Sequence, residues 1–222
     1  MSKRFVILGG GESGVGAALL AKKKGYDVFL SDESSLKDGY RNELLNAGID
    51  FEEGKHSVEK ILNADEVMKS PGIPEKAAMV KKIRSAGIAV VSEIEFAFRF
   101  KGDSKIIAIT GSNGKTTTTA LTFHLCSTAG LDAAMVGNIG ASFARQVAVH
   151  PKDLYVVEVS SFQLDDIKHF KPDVAILTNI TEDHLDRYDY QFENYIRSKF
   201  RIVMNQQQDD FFIFCADDEI TM

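Results

Sequence analysis

Short apolar runs, each ended by glycine or a polar turn and followed by a stretch of helical periodicity, recur along the chain. Residues 4–9, RFVILG, read as a buried strand that enters Gly9-Gly10-Gly11-Glu12-Ser13-Gly14-Val15-Gly16 and then a helix through Ala17, Leu20 and Ala21. A second strand, 27–30, runs to Asp32. Helical patterns at 40–47, 58–62 and 77–85 lead in turn to strands at 49–51, 66–68 and 88–91, and 93–100 is again helical. After the polar break Lys101-Gly102-Asp103-Ser104 the pattern restarts with a strand at 106–109, a glycine turn, and a helix through Leu121, Leu125 and Cys126 to Gly130. Strands follow at 133–136, 154–158, 173–177 and 211–215; residues 137–140 read as a turn and helix start, and 195–204 as a helix.

Alternation of this kind predicts parallel sheets covered by helices on both faces. The expected fold is α/β: a Rossmann-like N-terminal domain over 1–102, then a P-loop mononucleotide-binding central α/β domain over 103–222. That second domain is expected to be incomplete, because Ala216-Asp217-Asp218-Glu219 looks like a helix start with only three residues after it.

Composition is that of a globular chain of 222 residues, long enough for a sizeable core. A net charge of −6 argues against a general nucleic-acid surface and favours a small substrate. Cys126 and Cys215 lack partners at zinc spacing and read as buried thiols in a reducing compartment, the cytoplasm. The apolar run 5–8 is too short for a signal peptide or a membrane span.

The strongest chemical signal is KIIAITGSNGKTTTT, residues 105–119. Glycines at 111 and 114 turn the backbone tightly, and Lys115, Thr116 and Thr117 open a helix. Backbone N–H groups at such a helix start bind phosphate oxygens, the lysine adds a charge, and the hydroxyl after it reaches magnesium. The expected phosphate contacts are Gly111, Ser112, Asn113, Gly114, Lys115, Thr116 and Thr117. The loop is shorter than the general G-x-x-x-x-G-K-[ST], which would need glycine where this chain has Ile109.

Gly9, Gly11 and Gly14 match G-x-G-x-x-G, with Asp32 about where a ribose-binding acid sits. Alone, this turn serves a dinucleotide or any other diphosphate, and Asp32 is equally a cap after a strand. Ser70 and Gly72 in Ser70-Pro71-Gly72-Ile73-Pro74 either line the same cleft or make a rigid turn. Two glycine turns about a hundred residues apart imply two phosphate sites, more than one dinucleotide needs. Asn138 is either an amide toward phosphate or an ordinary turn residue. Glu158, at the carboxyl end of LYVVE, is placed to hold magnesium. In TNITEDHLDRY, His184 beside Asp183 is a candidate ligand or orienting base. Lys199, on these grounds, is an ordinary helical lysine.

TGSNGKTT, GNIG, EVSSFQL and TNITEDHLDRY together resemble the Mur ligase family, ATP-dependent enzymes that add amino acids to the peptidoglycan precursor. The combination looks most like the member that adds D-glutamate to UDP-N-acetylmuramoyl-L-alanine. The resemblance implies that the first domain holds the UDP part, with Ser13, Asp32, Ser70 and Gly72 at or near it. It implies that the central domain binds ATP and two magnesium ions: Lys115 on the phosphates, Thr116 and Glu158 on one ion, His184 near the second, and Asn138, Ser160 and Gln163 along the substrate cleft. Lys199 aligns with a lysine that takes up carbon dioxide to become a carbamate ligand. Lys115, His184 and Lys199 are thus the expected catalytic residues. The resemblance further implies that an acyl phosphate forms on the precursor and that D-glutamate displaces phosphate. The amino-acid-binding third domain lies outside the sequence, so the chain is expected to bind without ligating, as a monomer with no nucleic-acid or membrane partner. Another amino-acid-adding member of the family, an NAD-dependent oxidoreductase and a non-catalytic nucleotide-binding module are the alternatives.

Overall fold

The computed structural model describes residues 2–221, which pack as two compact units. One holds the residues up to Phe100 together with Ser142–His150; the other holds Lys101–Ala141 and the residues from Pro151 onward.

In the first unit, β1 (Arg4–Leu8), β2 (Asp27–Ser31), β3 (Asp50–Glu52), β4 (Glu66–Lys69) and β5 (Ala89–Val91) form a parallel sheet in the order β3-β2-β1-β4-β5. Chain order reverses between β1 and β4, and ligands of open α/β sheets bind at the carboxyl ends beside such a reversal. Those ends carry the glycine turn after β1 and Ser70–Pro74 after β4. Helix α1 (Glu12–Lys23) follows the first turn, and α2 (Asp38–Asn46), α3 (Val58–Leu62), α4 (Ala78–Ser85) and α5 (Glu93–Phe98) complete the alternation. Val6, Leu8, Phe29, Val67 and Val90 of the strands are buried against Ile61, Val80 and Ile83. Phe5 stacks on Phe96 with ring centroids 4.2 Å apart, joining β1 to α5. Gly14 is required by close approach: a Cβ there would stand 1.8 Å from Gly9 O.

In the second unit, β6 (Lys105–Thr110), β7 (Ala133–Gly137), β8 (Leu154–Glu158), β9 (Val174–Leu177) and β10 (Phe211–Phe214) form a parallel sheet ordered β10-β9-β6-β8-β7. β6 is central and pairs Ile109 with Glu158 on one side and Thr110 with Leu177 on the other. Helix α6 (Lys115–Thr128) leaves the loop after β6; α8 (Ser161–Asp165) and α9 (Phe192–Phe200) lie further on.

Helix α7 (Phe143–Val149) follows β7 in sequence yet packs in the first unit. There Glu12 accepts from Ser142 N at 3.0 Å and from Arg145 Nε at 2.7 Å, and Arg145 also pairs with Glu43. Several local expectations need correction. The helix expected straight after 137–140 starts only at Phe143, behind the Ser142 N-cap. Residues 216–219 form turns instead of a helix; Asp218 Oδ1 accepts from Ile220 N at 3.0 Å, a local bond that competes with helix. Nor are the thiols buried: Cys215, just past the edge strand β10, is exposed, and Cys126 on α6 is partly so.

Candidate functional site

The carboxyl edge of the second sheet gathers most of the expected groups. Gly111 leaves β6 at φ 147°, and a Cβ there would lie 1.9 Å from Thr178 Oγ1, so only glycine lets the loop pass β9 so closely. The loop is pinned to the segment after β9. Ser112 N donates to Asn179 O at 2.8 Å, and Asn113 N to Asn179 Oδ1 at 3.0 Å. Ser112 Oγ donates to Thr181 O and accepts from Thr181 N, both at 2.9 Å, and lies 3.1 Å from Tyr195 OH. Ser112 and Asn113 therefore brace the loop, and the helix start from Gly114 to Thr117 carries the N–H groups that have no partner within the helix.

Lys115 Nζ donates to Gly111 O at 2.8 Å and Ser112 O at 2.9 Å. Lys199, reaching from α9, donates to the same Gly111 O at 2.7 Å and is 1% exposed. Burial first, then the Lys115 charge, push the Lys199 amine down to about 7, against the pull of Asp183 and Asp165. Lys199 is seated by its neighbour: Ser198 Oγ donates to Asp165 Oδ1 at 2.6 Å, and Tyr188 OH to Asp165 Oδ2 at 3.1 Å.

Glu158 is buried at the end of β8. Its Oε1 accepts from Asn138 Nδ2 at 2.8 Å, while Oε2 is buried with no partner in the structure. An orphaned carboxylate oxygen beside a phosphate loop fits a magnesium ion. Among the described residues no group of three or more His, Cys, Asp and Glu side chains is arranged to hold a metal. An ion at Glu158 would therefore take most of its shell from Thr116, phosphate and water, as magnesium does.

Lys115, Asn138, Ser160, His184 and Lys199 line one cavity of about 150 Å³. His184, at φ 51°, has Nε2 3.5 Å from Asp183 Oδ2 and its ring 5.1 Å from that of Phe162. Gln163 stands back from the cavity. With Ser160 it forms the capping box of α8, Ser160 N donating to Gln163 Oε1 at 2.9 Å, and its Nε2 is buried without a partner. Tyr195, Asp165 and Ser198 also belong to the site, and no motif spacing in the sequence marks their hydroxyls and carboxylate.

The first unit carries a separate cavity of about 790 Å³ lined by Gly9, Asp32 and Gly72 among others, and a smaller one of about 240 Å³ along Gly10, Glu12 and Tyr40. Ser13 sits in the first turn of α1, and Ser70 under the glycine turn with Oγ 3.4 Å from Gly9 O; neither lines the larger cavity. Asp32 braces the turn: Oδ2 accepts from Gly10 N at 2.6 Å and Oδ1 from Ser34 N at 2.7 Å. Each Asp32 oxygen thus holds one backbone N–H and keeps capacity for a second donor.

Residues 109–222 match the Mur ligase middle domain, and residues 3–92 the Mur ligase MurD-like, N-terminal domain. UDP-N-acetylmuramoylalanine--D-glutamate ligases of Christiangramia forsetii and Cytophaga hutchinsonii are 59% and 58% identical to this chain over 99% of its length. The match takes in 49% of each, so the chain spans about half the length of these relatives. Among solved structures, UDP-N-acetylmuramate:L-alanyl-gamma-D-glutamyl-meso-diaminopimelate ligase from Neisseria meningitides superposes with a TM-score of 0.67 at 20% identity, covering 100% of this chain and 74% of that one. UDP-N-acetylmuramate-alanine ligase from Thermotoga maritima gives 0.61 at 23%, covering 99% and 50%. At such identities the superpositions speak for the fold alone. With Mur ligase domains matched across 3–92 and 109–222, the chain belongs to the Mur ligase family.

Proposed function

We propose that this chain is the precursor-binding and ATP-binding part of an ATP-dependent ligase that joins D-glutamate to UDP-N-acetylmuramoyl-L-alanine. The observation that carries the ATP half is the convergence of Lys115 and Lys199 on Gly111 O, on the sheet edge where Glu158 keeps an unpartnered oxygen. The D-glutamate preference rests on the relatives of that name, 59% and 58% identical.

In this reading the helix start at Gly114–Thr117 and Lys115 hold the phosphates, Thr116 and Glu158 hold magnesium, and Asn138 orients the Glu158 carboxylate. Magnesium supplies charge neutralisation at the transferred phosphoryl group. Lys115, by moving from the loop carbonyls to a phosphate oxygen, positions that group for the precursor's carboxylate. The resulting acyl phosphate is then open to the amine of D-glutamate. Lys199, kept partly neutral near pH 7, has the free electron pair that addition to carbon dioxide needs. As a carbamate it would face His184 across the cavity and serve a second magnesium ion. As an amine it serves none. In the second unit Ser160 lines the cavity with Gln163 behind it in the capping box; in the first unit Asp32 and Gly72 line the UDP cavity, with Ser13 and Ser70 supporting its glycine turn.

The incoming amino acid is assigned to the half of the relatives that this chain does not match. The chain alone is then a binding module and a monomer. Its proposed compartment is the cytoplasm, where free thiols such as those of Cys126 and Cys215 persist. The test joins this chain to the C-terminal half of the Christiangramia forsetii relative and measures phosphate release from ATP with UDP-N-acetylmuramoyl-L-alanine and one amino acid at a time. Release that depends on D-glutamate supports the reading. Release driven equally by another amino acid assigns the chain to a different member of the family.

A further inference from the structure

His56, on the wall of the large cavity of the first unit, ends a polar relay that lies outside every motif. Ser31, at the end of β2, and Glu52, at the end of β3, are both buried. Ser31 Oγ lies 2.8 Å from Glu52 Oε1, 2.7 Å from His56 Nδ1 and 3.3 Å from Lys55 O. Glu52 also accepts from Ser57 N at 2.7 Å and Ser57 Oγ at 2.6 Å. Burial pushes the Glu52 carboxyl up, but these donors outweigh it and hold the group below its ordinary value, so it is an acceptor only.

A serine hydroxyl has one proton. Given to His56, it would leave two oxygen lone pairs facing each other across the 2.8 Å between Ser31 and Glu52. The proton therefore points to Glu52, and Ser31 Oγ must accept from His56 Nδ1–H. The buried carboxylate thus fixes the imidazole tautomer, two bonds away. In the neutral ring Nε2 is then a bare acceptor. His56 lines the cavity, together with the apolar side chains of Val58, Ile73, Pro74 and Met79, while Gly9 stands at the glycine turn. Asp32, Glu33, Lys55 and Lys82 also line the cavity, so a ligand there meets apolar side chains that suit a base and polar groups that can orient it, while the turn suits a diphosphate.

We propose that His56 Nε2 accepts the imide N–H of a uracil-type base, which makes His56 a specificity-determining residue of this cleft, with Ser31 and Glu52 as its positioning residues. The inference rests on the reading that the first unit holds the UDP part of the precursor.

The test is calorimetric titration of the whole chain with UDP, 3-methyl-UDP and 2′-deoxy-UDP. His56→Asn keeps an N–H for Ser31 but ends short of the cavity, so its melting temperature should stay close to wild type. The expected result is that wild type binds UDP about tenfold more tightly than 3-methyl-UDP, one hydrogen bond's worth. His56→Asn should lose about that tenfold for UDP and bind the two ligands alike. Retained affinity or retained discrimination in His56→Asn overturns the assignment. So does a wild type that binds UDP and 3-methyl-UDP equally, a comparison that needs no variant. If the variant erases discrimination against 2′-deoxy-UDP instead, the partner is a ribose hydroxyl and the base assignment falls. Failure of wild type to bind UDP at all defeats the UDP reading of the cleft, and this inference with it.

Discussion

Lys115 and Lys199 share one acceptor: both Nζ atoms donate to Gly111 O, at 2.8 and 2.7 Å. Burial does most to depress the Lys199 amine, and the Lys115 charge beside it lowers it further. Removing that charge should therefore raise the Lys199 pKa above about 7, while burial keeps it below the ordinary lysine value. Titration of the Lys199 side chain by carbon-13 NMR in Lys115→Met checks this; an unmoved or lowered value would show that Lys115 is not the source of the repulsion.

The same group makes stability depend on pH. Lys199 titrates near 7 folded and at 10.5 when unperturbed, so between those values the unfolded chain binds more protons and stability rises with pH. Urea unfolding at pH 7 and pH 10 should show this rise, on the order of a few kcal/mol. Lys199→Met should remove that part of the rise.

Glu93 gives the opposite slope. It is fully buried on α5, where burial pushes its carboxyl up to about 7 although Oε1 accepts from Ala144 N at 2.5 Å. From its ordinary 4.5 up to about 7 the folded chain binds more protons, so its contribution to stability is lost as pH rises through that window. Glu93→Gln should flatten this fall, worth up to about 3 kcal/mol. A fall of unchanged steepness in the variant would assign it to other groups.

Glu158→Gln keeps size and the option of a bond to Asn138 but removes the charge. Magnesium-dependent ATP affinity should drop tenfold or more, roughly the loss of a charged ligand, with the melting temperature little changed. Unaltered affinity would remove Glu158 from the metal site.

The legible parts of this chain were those with local physical signatures. β6, the glycine turn and the start of α6 follow from apolar run, glycine and lysine in order, and Glu158 from its place at a strand end. Lys199 was not legible from spacing, because what sets it apart is burial against Gly111, 88 residues away. For the same reason α7 shows no local sign that it packs on α1, a docking decided by Glu12 meeting Ser142 and Arg145. His56 stayed hidden because its tautomer is set by Glu52 through Ser31. Cys215 is exposed because a thiol after an apolar strand is buried only if that strand is interior, and β10 is the sheet edge.

Two separate sites, one for a uridine-diphosphate precursor in the first unit and one for ATP in the second, are the centre of this account. Calorimetric titration of the chain with UDP-N-acetylmuramoyl-L-alanine and with magnesium ATP, in wild type and Lys115→Ala, tests it most directly. The account predicts one equivalent of each ligand for wild type, with loss of ATP binding alone in Lys115→Ala. Precursor binding that falls together with ATP binding, or ATP binding that survives the substitution, would contradict it.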